Sequence, residues 1–181
     1  MGDKHAFRAD WLDYNEGIFF VTICTHQHKY LFGTILNDEM KLNDFGKKVN
    51  EYLEDIPRHY PEAEIHNHIV MPNHVHILMQ IVGARHVAPT ENVGCLRPPM
   101  HGEPKMINHF NSRLAVIIGS FKAAVTKYAR SVRARHVAPL PFVIWQTRFH
   151  DHYIRNKQAY ELIDKYITTN PMNWKRDCFN N

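Results

Sequence analysis

Met71-Pro72-Asn73-His74-Val75-His76-Ile77-Leu78-Met79 reads as a turn that launches a strand. Pro72 and Asn73 favour a tight turn, and from His74 onward histidines alternate with apolar residues. Side chains two apart on a strand share a face, about 6.6–6.8 Å apart along the chain. His74 and His76 therefore stand together on one face, while Val75, Ile77 and Met79 bury the other. Two imidazoles so placed can close on one divalent cation. The plainer alternative is a half-exposed polar pair, since short motifs are weak signals.

Working outward, residues 62–70 form a second strand, so the turn closes an antiparallel hairpin. The run at 17–25, continuous in apolar and β-branched residues, predicts a central strand buried on both faces. Residues 32–36 and 40–42 flank Asn37-Asp38-Glu39 as a small hairpin. Asn43 or Asp44 caps a helix to about residue 59, with Phe45, Val49, Tyr52, Leu53 and Ile56 at helical spacing, Pro57 near its end and Pro61 beyond. Residues 83–106, rich in Pro and Gly, read as a long flexible surface loop. A basic helix over about 107–130 carries Leu114, Ile117, Ile118, Phe121, Val125 and Tyr128. A last strand follows near 142–146, resuming at 149–154, and a final helix over 157–170 is stopped by Pro171. This order predicts an α+β fold: a ferredoxin-like split βαβ antiparallel sheet with helices on one face and a C-terminal helix. The hexapeptide Ala-Arg-His-Val-Ala-Pro stands at 84–89 and again at 134–139, bracketing the basic helix with no repeat in its flanks.

The chain of 181 residues is long enough for a sizeable core and predicts one domain, 1–181. No apolar run approaches the roughly 20 residues of a membrane span, and the first residues do not begin a signal peptide. Cys24, Cys95 and Cys178 are odd in number and far apart, which suits free thiols in a reducing, cytoplasmic setting. The net charge is +4. From Pro104 to His150 there is no Asp or Glu, while Lys105, Arg113, Lys122, Lys127, Arg130, Arg133, Arg135 and Arg148 all fall there. Such a segment is either a phosphate-binding surface or a solvated helix face with acids nearby in space.

On the last helix, Tyr166 and Asn170 lie one turn apart on one face. Tyrosine becomes a covalent nucleophile beside a metal or base, and an Asn oxygen can complete a hard-cation site begun by two histidines. Ala159, Leu162, Ile163, Tyr166 and Ile167 also form an apolar stripe, so Tyr166 reads equally as a core residue. Tyr153 and Tyr160 are rival nucleophiles, and His66 and His68 rival ligands on the neighbouring strand.

His74-Val75-His76 within Met-Pro-Asn-His-Val-His resembles the HUH motif of single-tyrosine transposases, most closely the REP-associated tyrosine transposases. The likeness takes in Asp13-Tyr14-Asn15-Glu16-Gly17 before Phe19-Phe20-Val21-Thr22-Ile23-Cys24-Thr25, then Leu31-Phe32-Gly33 and Gly119-Ser120-Phe121-Lys122. It continues through Trp145-Gln146, Phe149-His150-Asp151-His152 and Tyr166-Ile167-Thr168-Thr169-Asn170-Pro171. The resemblance implies an endonuclease and strand transferase for single-stranded DNA hairpins of palindromic repeats. It implies Tyr166 as the nucleophile forming a 5′-phosphotyrosine link, and Mg²⁺ or Mn²⁺ held by His74, His76 and Asn170. Lys122, Lys127, Arg130 and Arg148 are the expected DNA contacts, on charge alone, in a monomer or a homodimer. A non-catalytic hairpin DNA- or RNA-binding module on the same fold is the alternative, though the middle strand shows histidines where such a module shows stacking aromatics. A His-x-His-x-His nucleotide hydrolase is disfavoured, because Leu78 fills the third place.

Overall fold

The computed structural model describes residues 15–83, 112–134 and 141–180. Its main sheet has strands β1 (Gly17–Cys24), β4 (Ala63–Val70), β5 (His74–Ile81) and β6 (His150–Ile154) in the order β4-β5-β1-β6. Every neighbouring pair is antiparallel. A separate hairpin, β2 (Gly33–Leu36) with β3 (Glu39–Leu42), is inserted after β1. Its two-residue turn, Asn37 and Asp38, has both φ angles positive, a conformation that Asn and Asp tolerate. The sheet is the expected split βαβ arrangement, with the first strand at its centre.

Two helices fill one face. In α1 (Asp44–Glu54), the Asn43 side chain accepts from the Gly46 amide at 2.8 Å, satisfying an otherwise unpaired N-terminal donor. Phe45, Val49 and Leu53 then point inward at four-residue spacing. The expected helix to residue 59 is broken at Asp55, and the short α2 (Ile56–His59) restarts with Pro57 in its first turn, where a missing N–H costs nothing. In α3 (Arg113–Ala134), Leu114, Ile117, Ile118, Phe121, Val125 and Ala129 are buried. These side chains join Phe19, Val21, Ile23, Val75, Ile77 and Met79 in one continuous core.

The opposite face is covered by α4 (Lys157–Thr169), capped by Asn156 accepting from the Ala159 amide at 2.8 Å. Ile167 packs there on Leu78 and Ile154, beside Phe20 and Ile163. After α4, Pro171–Arg176 makes a 3₁₀ turn that brings 177–180 back over the end of the sheet.

The strand expected at 142–146 is not one. It makes an isolated bridge, Trp145 to Thr25, with Gln146 N donating to Cys24 O and His26 N to Ile144 O. The true edge strand is the later piece, β6. The loop expected at 83–106 and the start of the basic helix lie almost wholly outside the described residues, as do both hexapeptides apart from Ala134. No helix among the described residues is long and apolar enough to cross a membrane.

Gly46 sits where α1 passes the chain at Phe32, and a Cβ there would overlap the Phe32 carbonyl oxygen. Backbone cannot move aside as a flexible side chain does. Gly46→Ala is therefore expected to destabilise by about 1–3 kcal/mol, the usual range for overpacking, read as a lowered midpoint in urea with an unchanged slope.

Candidate active site

The face of β5 turned towards α4 carries His74, His76 and Leu78, and its register with β1 sets Cys24 against His74 and Thr22 against His76. Both imidazoles are essentially removed from solvent. Their Nε2 atoms lie 3.0 Å apart. Asn73 fixes the first ring: its Nδ2 donates to the carbonyls of Phe179 (2.6 Å) and His28 (3.2 Å), so its Oδ1 faces His74 Nδ1 at 2.9 Å. His74 therefore carries its proton on Nδ1 and presents a bare Nε2. His76 Nδ1 meets Thr22 Oγ1 at 2.9 Å. A hydroxyl rotates to donate or accept, so Thr22 supports either tautomer of His76. Without a cation, His76 keeps a proton on Nε2 and shares it with His74. With one, Thr22 accepts from Nδ1–H and both Nε2 lone pairs are free.

Two further oxygens enter from the C-terminal end. Asp177 comes within 4.8 Å of the ligating atoms of His74 and His76, a set of three that could hold a metal ion. The Asn170 amide nitrogen donates to Asp177 Oδ2 at 3.1 Å, leaving Asn170 Oδ1 buried with no protein partner. Bare imidazole nitrogens, a carboxylate and an orphaned amide oxygen make an acceptor-rich cluster, and a divalent cation supplies what it lacks.

Tyr166 stands at the edge of this cluster. Its Oη is 3.4 Å from His76 Nε2, and its ring meets His76 (5.3 Å between centroids) and Phe20 (6.1 Å) edge-on. The residue is 40% exposed, so solvent or a substrate can reach it. Burial and then the Asp177 charge push its phenol up from the ordinary value, against a hydrogen bond from Asn170 that favours the phenolate. The helical spacing of Tyr166 and Asn170 thus brings both to one place. Phe179 lies over the site, 4.7 Å from His74 and stacked on His28 at 5.8 Å. His28 and Gln27 have positive φ, a strained backbone beside the cluster.

The rival residues lie elsewhere. Tyr153 pairs with Phe19 on the helix-covered face. Tyr160 packs on His66 at 5.6 Å. A bulge between Ile65 and Asn67 breaks the alternation of β4. His66 consequently faces α4, whereas His68 faces α1 and meets Asn50 Oδ1 at 3.1 Å. Cys24 shares the histidine face, but burial first, then Cys178 and Asp177, push its thiol up to about 12, so it stays protonated. Of the expected basic contacts, Lys122 is committed to the carbonyls of Gln146 (2.7 Å) and Thr147 (3.1 Å), while Lys127, Arg130 and Arg148 are exposed. Asp177, Asn73 and Thr22 carry no periodic or spacing signal that marks them as partners of the histidines.

Burial holds His74 down to about 4 despite the Asp177 charge, and holds His76 well below its ordinary value, with His74 adding to the effect. An unfolded imidazole takes up its proton near pH 6.5. Above that pH neither state gains protons and the contribution to stability is complete. Between about 6.5 and 4 the unfolded chain binds protons that the fold refuses, so stability falls as pH falls. Metal-free protein is expected to lose roughly 1.4 kcal/mol per pH unit for each such imidazole. Melting from about pH 7.5 to 4.5 measures it, and a flat Tm across that window contradicts the arrangement.

No family model matches the chain. An uncharacterized protein of Haemophilus influenzae is 33% identical over 178 residues, covering 96% of this chain and 91% of that protein. Among solved structures, a REP-associated tyrosine transposase bound to a REP hairpin superposes with a TM-score of 0.52 at 20% identity, over 93% of this chain and 73% of that one.

Proposed function

The chain belongs to the same family as the Haemophilus influenzae protein and has the fold of a tyrosine transposase, and from the groups gathered on that fold we propose a metal-dependent endonuclease and strand transferase of single-stranded DNA hairpins. The observation that carries this reading is Tyr166 Oη set 3.4 Å from His76 at the rim of the acceptor cluster. A nucleophile exposed to solvent and a buried set of ligands are the two halves such chemistry needs.

His74, His76 and Asp177 would hold a divalent cation, with Asn170 Oδ1 as a fourth donor. Two imidazoles and a carboxylate depart from the all-oxygen shell that Mg²⁺ prefers, which favours Mn²⁺. When bound, the cation supplies positive charge to a phosphate's non-bridging oxygens. Asn73 and Thr22 hold the two rings in place. Tyr166 Oη attacks the backbone phosphorus, the Oη–P bond forms and the P–O3′ bond breaks. The phenolic proton ends on the departing 3′ oxygen. The 5′-phosphotyrosine keeps the energy of the phosphodiester, so another 3′ hydroxyl can attack it and release Oη. The reaction consumes no nucleotide.

Incubation with hairpin DNA of palindromic repeats and Mn²⁺ is expected to give a protein–DNA adduct that survives denaturation. Tight binding without an adduct, with either Mn²⁺ or Mg²⁺, would instead support a binding module.

A further inference from the structure

Resting on the reading of the chain as an enzyme of single-stranded DNA, we propose a second strand-binding groove on the far side of the sheet from Tyr166, in which a base stacks on Phe142 while Lys127 and Arg130 hold phosphates. Helix α3 and the segment 142–147 enclose an open groove of about 440 Å³. Its walls include Lys122, Thr126, Lys127, Arg130, Phe142 and Trp145, and no acidic side chain lines it. Lys127, Arg130 and Arg133 recur at three-residue steps, a basic stripe roughly 9 Å long at 1.5 Å rise per residue. The sequence from Pro104 to His150 has no acid to neutralise it.

Charge alone would suit any polyanion, but the groove also has a platform. Phe142 is 79% exposed, and the Arg133 guanidinium lies 3.7 Å from its ring centroid. An apolar ring left in water beside three cations is poorly explained as packing. Phosphate-binding cations interleaved with an exposed aromatic make the surface on which unpaired bases stack. A duplex keeps its bases stacked internally and cannot use the ring.

The groove is also joined to the tyrosine site. Lys122 Nζ pins the carbonyls of Gln146 and Thr147. The Gln146 side chain reaches His28 Nε2 at 3.0 Å, and His28 stacks on Phe179, which covers His74. The segment 144–147 therefore wraps the end of the sheet from one face to the other. A strand leaving the scissile phosphate can follow it, so the groove would hold the single-stranded tail beside the hairpin.

The test compares two hairpins in metal-free buffer by fluorescence anisotropy, one with a very short single-stranded tail and one with a tail of about 20 nucleotides. Wild type is expected to bind the long-tailed hairpin more tightly. Phe142→Ala, a change at an exposed position, is expected to remove roughly 5- to 100-fold of that advantage, the range for one base–aromatic stack. Lys127→Gln with Arg130→Gln is expected to lower the salt slope for the long tail by about 1.4, some 0.7 per lost phosphate contact. A tail advantage that Phe142→Ala leaves intact, or a loss equal for both hairpins, overturns the groove. Adduct formation on the short-tailed hairpin with Mn²⁺ is read in parallel. An adduct without a Phe142-dependent tail advantage sinks the groove and leaves the enzyme standing, whereas the tail advantage without any adduct sinks the enzyme and leaves the groove.

Discussion

Tyr166→Phe is expected to abolish the covalent protein–DNA adduct and with it strand cleavage, by on the order of 10⁴-fold or more, the scale of losing a nucleophile. The substitution removes one oxygen and little else. The ring keeps its edge-on contacts with Phe20 and His76. The residue is 40% exposed, so a phenyl group there strands no buried partner. Fold, hairpin binding and metal binding should all persist, which separates loss of chemistry from loss of structure. Denaturing gels detect the adduct, and a mobility shift on the same samples reports binding. An adduct that survives would move the nucleophile to Tyr160, because Tyr153 lies on the helix-covered face with Phe19.

His76→Ala is the second large effect. Its Nε2 meets both His74 and Tyr166, and its Nδ1 meets Thr22. Removing the ring takes away a proposed ligand and leaves His74 and Thr22 facing a void. Mn²⁺ affinity is expected to fall by more than the roughly 10- to 100-fold typical of losing an outer partner such as Thr22 in Thr22→Val. Metal at a hundred times its Kd should add about 2.7 kcal/mol to the stability of the wild type. The His76→Ala protein should gain almost nothing. Titration calorimetry and melting with and without Mn²⁺ measure both, and an undiminished metal-dependent rise in Tm would remove His76 from the ligand set.

Local patterns reveal the parts of this molecule whose geometry is local. His74 and His76 share a face because alternation is a property of any strand, and the turn at Pro72 and Asn73 marks where it begins. Tyr166 and Asn170 converge because four residues make about one helical turn. Asp177 escapes such reading: it follows Pro171, where helical periodicity stops, and only the 3₁₀ turn carries it back to the histidines. The two histidines of β4 mislead in the opposite way, since an inserted bulge residue sends His66 and His68 to different faces. The bridge at Trp145 likewise has strand-like composition but takes its partners from an irregular end of β1. The basic segment is legible as charge, yet nothing in its spacing tells that Lys122 spends its donors on carbonyls.

The antiparallel pairing of β1 with β5 runs without a break through eight residue pairs, from Gly17 opposite Ile81 to Cys24 opposite His74. That register acts as a reading frame for the whole site. Deleting one residue from the middle of β5 would send its remaining side chains to the wrong layers, leaving imidazoles in hydrocarbon or Val75 and Ile77 beneath Tyr166. The same apolar residues that secure the fold also keep the two histidines in phase with the tyrosine. Point changes within that frame can alter the chemistry by degrees, whereas insertions and deletions in β5 should be lost together with the fold.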